Sequence, residues 1–262
     1  MDNFRNRHRN RRYQAYVSLL GTTQIHFRNP YIVACWSMAF PGFGHLLLNK
    51  YLRGYALVTW EMYINQKIHL NLAMVLSFNG QFQAAKEALD PKFVMLYIPV
   101  YLFAIWDSYR TSVDLNKVYV LAERENAPFN TFSIGALEIN YLDKRKPWLA
   151  ALWSAAVPSM GQLYLHRIVL AVSVLIFTIL IIDGSNFILS LHYLILGDLR
   201  RSSAVLDAQW LLYLPSMYLF NIYESYTNAV ENNKLFNKDL KNFLLRNYQP
   251  KGRFFTIRSR VD

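Results

Sequence analysis

Five polar side chains stand out from apolar surroundings: His45, Glu61, Asp107, Gln162 and Glu224. Four of them fall into two pairs at one constant separation. His45 and Gln162 are 117 positions apart (162 − 45), and so are Asp107 and Glu224 (224 − 107). An imidazole or amide beside a carboxylate can hold an ion or a proton. The plainer reading is structural, with small residues packing and carboxylates marking the point where a helix leaves the membrane near Arg110 or Lys117. Glu61 stands in Thr-Trp-Glu-Met-Tyr-Ile-Asn-Gln-Lys-Ile-His, and an ionisable residue inside an apolar crossing is a functional candidate by default. Lys67 lies six positions further on, off the same helical face, so no direct pair is expected. Thr178 occupies the position that matches Glu61, which keeps Glu61 out of the repeated pattern.

Other chemistries lack their residues. There is no Gly-rich phosphate loop ending in Lys-Ser/Thr, no His-Glu-x-x-His and no Gly-x-Ser-x-Gly turn. The six histidines (8, 26, 45, 69, 166, 192) are scattered without ligand spacing, and Cys35 is the only cysteine. No catalytic residue, cofactor or metal is therefore expected.

The separation of 117 belongs to a longer pattern. Residues 30–49 and 147–166 agree at nine of twenty positions, Pro41/Pro158 and Gly44/Gly161 among them. The same step pairs Tyr-Leu-Phe-Ala-Ile-Trp-Asp-Ser-Tyr at 101–109 with Tyr-Leu-Phe-Asn-Ile-Tyr-Glu-Ser-Tyr at 218–226. A repeat of this length is a unit of structure. It divides the chain into a basic lead-in (1–29), repeat one (30–117), a linker (118–146), repeat two (147–234) and a basic tail (235–262).

Each repeat holds three apolar blocks. Ile168 to Ile182 contains nothing more polar than Ser or Thr, whereas a water-exposed helix shows a polar face on every turn. Neutral and aromatic flanks extend such blocks toward the ~20 residues that cross ~30 Å of hydrocarbon. The expected class is an all-α membrane protein, with two tandem helical hairpins and an amphipathic helix after each. Short segments at 22–27, 136–142 and 253–260 read as extended, compatible with a small sheet beside the repeats.

The net charge is +11, and the basic residues crowd the two ends. Beside apolar blocks, that favours cytoplasmic termini and attraction to anionic lipid headgroups over binding of nucleic acid. No cleavable signal peptide is visible. Both repeats begin after basic residues and end before charged stretches. If both junctions are cytoplasmic, each repeat crosses an even number of times. A re-entrant first block, turning at Pro41-Gly42 or Pro158-Ser159, satisfies that parity. The rival arrangement makes this block a full crossing and the copies inverted.

The combination of Pro-x-x-Gly-[His/Gln]-Leu with a later Asp/Glu-Ser-Tyr resembles a group of bacterial multi-pass membrane proteins with a PGxGQxY signature and an Asp-Ala-Tyr-Arg-like end. It is also similar to two-helix transmembrane hairpin domains with a Gly-x-x-Gly-x-His turn and a closing Asp. The matching residues are Pro41, Gly42, Gly44, His45, Gly54, Asp107, Tyr109 and Arg110, then Pro158, Gly161, Gln162, Tyr164, Glu224 and Tyr226. Leu47 replaces the signature Tyr in repeat one, and Ser159 stands in repeat two where repeat one has Gly42. The resemblance covers about half the chain and implies membrane hairpins, not a reaction. The expected role is a non-catalytic scaffold or accessory subunit in a bacterial cell membrane. Its expected partners are the lipid bilayer and either another membrane protein or a second copy. The alternative is a small transporter or channel whose polar site, between the repeats, is lined by His45, Gln162 and Glu61.

Overall fold

A computed structural model describes residues 12–248. The readings made for 1–11 and for 253–260 lie outside the described residues. The chain is mostly helical, as expected, with two small hairpins. In chain order the first half comprises β1 (Ala15–Ser18), β2 (Gly21–Gln24), α1 (Pro30–Ala39), α2 (Phe43–Leu47), α3 (Tyr51–Ile68), α4 (Leu70–Phe78), α5 (Phe82–Ala88) and α6 (Pro91–Arg124). The second comprises β3 (Phe132–Ile134), β4 (Ile139–Tyr141), α7 (Pro147–Ala156), α8 (Met160–Tyr164), α9 (Ile168–Gly184), α10 (Phe187–Ile195), α11 (Leu199–Val205), α12 (Ala208–Leu211) and α13 (Tyr213–Asn247).

Backbone punctuation recurs at the step of 117. Left-handed residues fall at Gly42 and Ser159, at Asn49 and His166, and at His69 and Asn186. Pro30 and Pro147 open α1 and α7, where proline's missing N–H costs nothing. Each helix ends after 10 residues at an extended Phe40 or Val157, and the next turn reverses the chain. Helix α2 then lies back on α1: a Cβ added at Gly44 would sit 2.3 Å from Ser37 Oγ and 2.5 Å from the Val33 carbonyl oxygen. The first apolar block of each half thus doubles back instead of running straight.

Ser159 adopts the φ of 89° that Gly42 adopts at 101°, and its buried hydroxyl has no partner. Left-handed backbone costs a residue with a Cβ about 1–2 kcal/mol, and an unmet buried hydroxyl adds to that. Ser159→Gly is therefore expected to raise stability by about 1 kcal/mol after glycine's own entropic cost. A thermal-unfolding midpoint in detergent would measure the gain; a lower midpoint than wild type would refute this account.

Two expectations need correction. No separate amphipathic helix follows each repeat. Those charged stretches are the C-terminal parts of α6 and α13, continuous helices of 34 and 35 residues. Nothing between Val100 and Arg124 breaks a helix, so α6 runs on past Lys117. The extended segments are also shorter than expected, since strands occupy only 22–24 of the first and 139–141 of the second, each paired with an upstream strand. Both hairpins obey the step, Ala15 matching Phe132 and Gln24 matching Tyr141, so matching structure begins upstream of Pro30 and Pro147.

The two hairpins share one end of the molecule. Asn130 imitates a strand edge: its Oδ1 accepts from the Val17 N–H (2.9 Å) and its Nδ2 donates to the Val17 carbonyl (2.7 Å). The Asn140 amide donates to the Ser18 carbonyl at 2.7 Å. Lys238, late in α13, donates to Glu123 of α6 at 2.8 Å. Matching backbone ties join each hairpin's exit to its long helix. Arg28 exchanges backbone bonds with the Asn116 amide (3.0 and 2.7 Å), and Arg145 does so with Asn233 (2.8 and 2.7 Å). Equivalent ends lie together, so the halves point the same way.

Near the first of these ties, His26 is half-buried, with its Nδ1 enclosed and unpartnered. Burial, reinforced by Arg28, Arg167 and Lys234, pulls its pKa from 6.5 down to about 2. Between those values the unfolded chain carries a proton at His26 that the folded chain excludes. Stability must then fall as pH drops below 6.5, by up to about 1.4 kcal/mol per pH unit. The unfolding midpoint of the wild type is expected to drop between pH 6.5 and 5, and His26→Gln to flatten that drop; superimposable pH profiles would refute the assignment.

The halves meet along an apolar seam. Phe40, Phe43, Leu46, Leu47 and Val58 pack against Leu170, Val174, Tyr213, Met217 and Phe220. Phe43 stacks on Phe40 (4.5 Å between centroids) and on Phe220 (4.2 Å). The seam is one-sided, because Trp36 packs into it while the matching Trp153 is 48% exposed.

Candidate functional site

Each fold-back forms a polar clasp, in which an amide or imidazole meets a carboxylate on the half's long helix. His45 is fully buried in α2, with Nε2 3.0 Å from Asp107 Oδ2 of α6. Arg53 Nη1 donates to the same oxygen at 2.7 Å. The carboxylate can only accept, so Nε2 carries the imidazole proton. In the second half Gln162 Nε2 donates to Glu224 Oε2 (3.1 Å) and to the Asn221 carbonyl (3.1 Å). Glu224 Oε1 accepts from Asn228 at 2.7 Å and faces Arg167 at 3.2 Å. Arg167 also reaches across the seam, donating to Asn49 Oδ1 (2.8 Å) and Tyr51 OH (2.7 Å).

Both carboxylates are thus neutralised by cations of their own chain. The expected neighbours, Arg110 and Lys117, are elsewhere: both pair with Asp114, and Arg110 lies over the Trp106 ring. Nothing in the sequence singled out Arg53 or Arg167 as the counter-ions. The step of 117 hides them as counter-ions, because Arg53 matches Leu170 and Arg167 matches Lys50. Gly44 and Gly161 provide the close approach, and Pro41 and Pro158 stand in the turns beside them.

Glu61 belongs to neither clasp. It is 4% exposed on α3, and its Oε1 accepts from Asn65 Nδ2 (3.1 Å) and Tyr97 OH (3.4 Å). Lys67 lies over the Tyr63 ring instead, as its spacing suggested. Asn65, Asn71 and Gln209 form a network that joins the α3–α4 break to α12: Gln209 Nε2 donates to Asn65 Oδ1 (2.8 Å), and Gln209 Oε1 accepts from the Leu72 N–H (2.8 Å). A cavity of about 380 Å³ beside Glu61 is lined by both halves, yet neither His45 nor Gln162 reaches it.

Among the described residues no group of His, Cys, Asp or Glu is arranged to hold a metal ion. Nor, among the described residues, is any single helix long and apolar enough to cross a membrane; α5 with α6 and α9 with α10 reach that length and composition as pairs bent by 87° and 61°. No protein-family model, curated protein or solved structure matches the chain.

Proposed function

We propose that this chain is an integral scaffold or accessory subunit of a bacterial membrane, without catalytic activity, formed from two like-oriented copies of a membrane hairpin. The observation that carries this reading is the apolar surface. Leu102, Phe103 and Trp106 on α6 and Ile176, Ile179 and Leu180 on α9 are each 47–58% exposed. Water-soluble monomers rarely expose so much large apolar surface, and lipid tails solvate it without cost. The doubled-back first block fits the even parity of a re-entrant segment, with α3 and α9 leading away from the hairpin end and α6 and α13 returning. The PGxGQxY-like residues at the fold-backs support the same reading.

The self-neutralised carboxylates favour a structural role for the clasps. The transport alternative needs His45, Gln162 and Glu61 on one path, and the stacked Phe40, Phe43 and Phe220 occupy the seam between the halves. Alkaline carbonate extraction of native membranes is expected to leave the chain in the pellet. In a Cys35→Ser background, an impermeant maleimide is expected to label a cysteine at 200 from outside the cell, and one at 50 only after permeabilisation. Release by carbonate, or labelling of both positions from the same side, would overturn the proposal. Co-purification from native membranes then identifies what the scaffold holds.

A further inference from the structure

At the cavity beside Glu61 a buried carboxylate is left incompletely satisfied next to open space. Glu61 Oε1 has two donors, whereas Oε2 is buried without any partner. Helix α3 supplies Glu61, α4 supplies Asn71, α6 supplies Tyr97 and Tyr101, and the second half supplies Tyr213 and Ser216. Phe40 closes the wall at the α1–α2 break. Among the described residues, no basic side chain lines the cavity. Tyr101 OH donates to the Met38 carbonyl at 2.8 Å, which fixes that ring at the wall.

We propose that this cavity binds an organic ammonium cation, with Glu61 as its counter-ion and the Phe40, Tyr97, Tyr101 and Tyr213 rings as its walls. A buried carboxylate without a counter-charge carries a severe desolvation penalty, which a cation in the cavity removes. Aromatic faces attract alkylammonium groups through their quadrupoles. Hard metal ions are disfavoured, because one carboxylate, one amide and phenolic oxygens fall short of the oxygen shells that such ions demand. A volume of about 380 Å³ suits a small amine or an amine headgroup. The Asn65–Asn71–Gln209 network holds the α3–α4 break against α12, and so keeps the two halves' contributions in register. This site does not depend on the scaffold role: the clasps remain structural whether or not the cavity is occupied.

The test uses the full-length protein in detergent, with thermal unfolding followed in tetramethylammonium chloride and in sodium chloride at equal concentration. A saturable rise of the midpoint with tetramethylammonium, absent with sodium, is expected. Glu61→Gln, which keeps the shape and removes the charge, abolishes the rise. Tyr97→Leu weakens affinity about tenfold, and it serves as the reporter if Glu61→Gln yields no folded protein. No saturable rise in the wild type, an equal rise in Glu61→Gln, or an equal response to sodium overturns the site. Nanodiscs separate the two natural sources of such a cation. Loss of the response in phosphatidylethanolamine but not in phosphatidylglycerol marks a lipid headgroup as the occupant, and persistence in both marks a soluble amine.

Discussion

Gly161→Ala is expected to leave little folded protein. The new methyl carbon would lie 2.1 Å from Ser154 Oγ, 2.3 Å from the Ala150 carbonyl oxygen and 3.0 Å from Ser225 Cβ. A serine hydroxyl can rotate away, but a helix carbonyl cannot. Overpacking a well-filled site costs about 1–3 kcal/mol, and a clash with fixed backbone costs more. Folded proteins hold only about 5–15 kcal/mol in reserve. The residue sits where α8 must touch both α7 and α13, so relief by movement would open the second clasp as well. Gly44→Ala should behave alike, against Ser37 Oγ and the Val33 carbonyl. The measurement is the fraction eluting as a monodisperse species after detergent extraction. Adding Ser154→Ala should restore only part of it, because the Ala150 carbonyl remains. A Gly161→Ala protein as abundant and stable as wild type would show that the fold-back is not close-packed.

The second large effect is expected from Arg167→Ala, at about 3–5 kcal/mol. Glu224 is fully buried and Arg167 is 3% exposed, so truncation strands an anion with no access to water. It also frees Asn49 and Tyr51, which hold the same guanidinium from the other half. The corresponding change in the first half, Arg53→Ala, should cost far less. The Arg53 side chain is 55% exposed, so solvent screens its pair with Asp107, and such pairs contribute about 1 kcal/mol or less. Replacing both members of the buried pair, as Arg167→Leu with Glu224→Leu, should recover much of the loss, since neither charge is then stranded. Denaturation of the three variants beside wild type checks the order; equal costs for Arg53→Ala and Arg167→Ala would contradict the difference in burial.

What the sequence made legible was what the step of 117 preserves. Both polar contacts span the same 62 positions, from His45 to Asp107 and from Gln162 to Glu224. The Pro and Gly residues of the turns marked where α1 and α7 stop. The counter-ions were not legible, because each half takes its arginine from a different place. The long helices were misread because the apolar stripe fades after Trp106 in α6 and after the matching Tyr223 in α13, and periodicity alone does not separate one helix that changes surroundings from two. The hairpins were faint for another reason: strands of three or four residues are too short to display a clear alternation. Glu61 was noticed as an isolated charge, but its neighbours Asn71, Tyr97 and Gln209 are brought to it by tertiary packing.

The length of α6 and α13 bears on how anything could be held. At 1.5 Å per residue, helices of 34 and 35 residues are about 50 Å long, against about 30 Å of hydrocarbon. On the proposed reading, roughly four turns of each stand clear of the bilayer on the hairpin side, cross-braced by Lys238 and Glu123. Such a pair is a stiff pedestal and not a tether: whatever it carries would ride at a set height and bearing above the lipid surface, instead of sweeping the volume that a floppy tail allows.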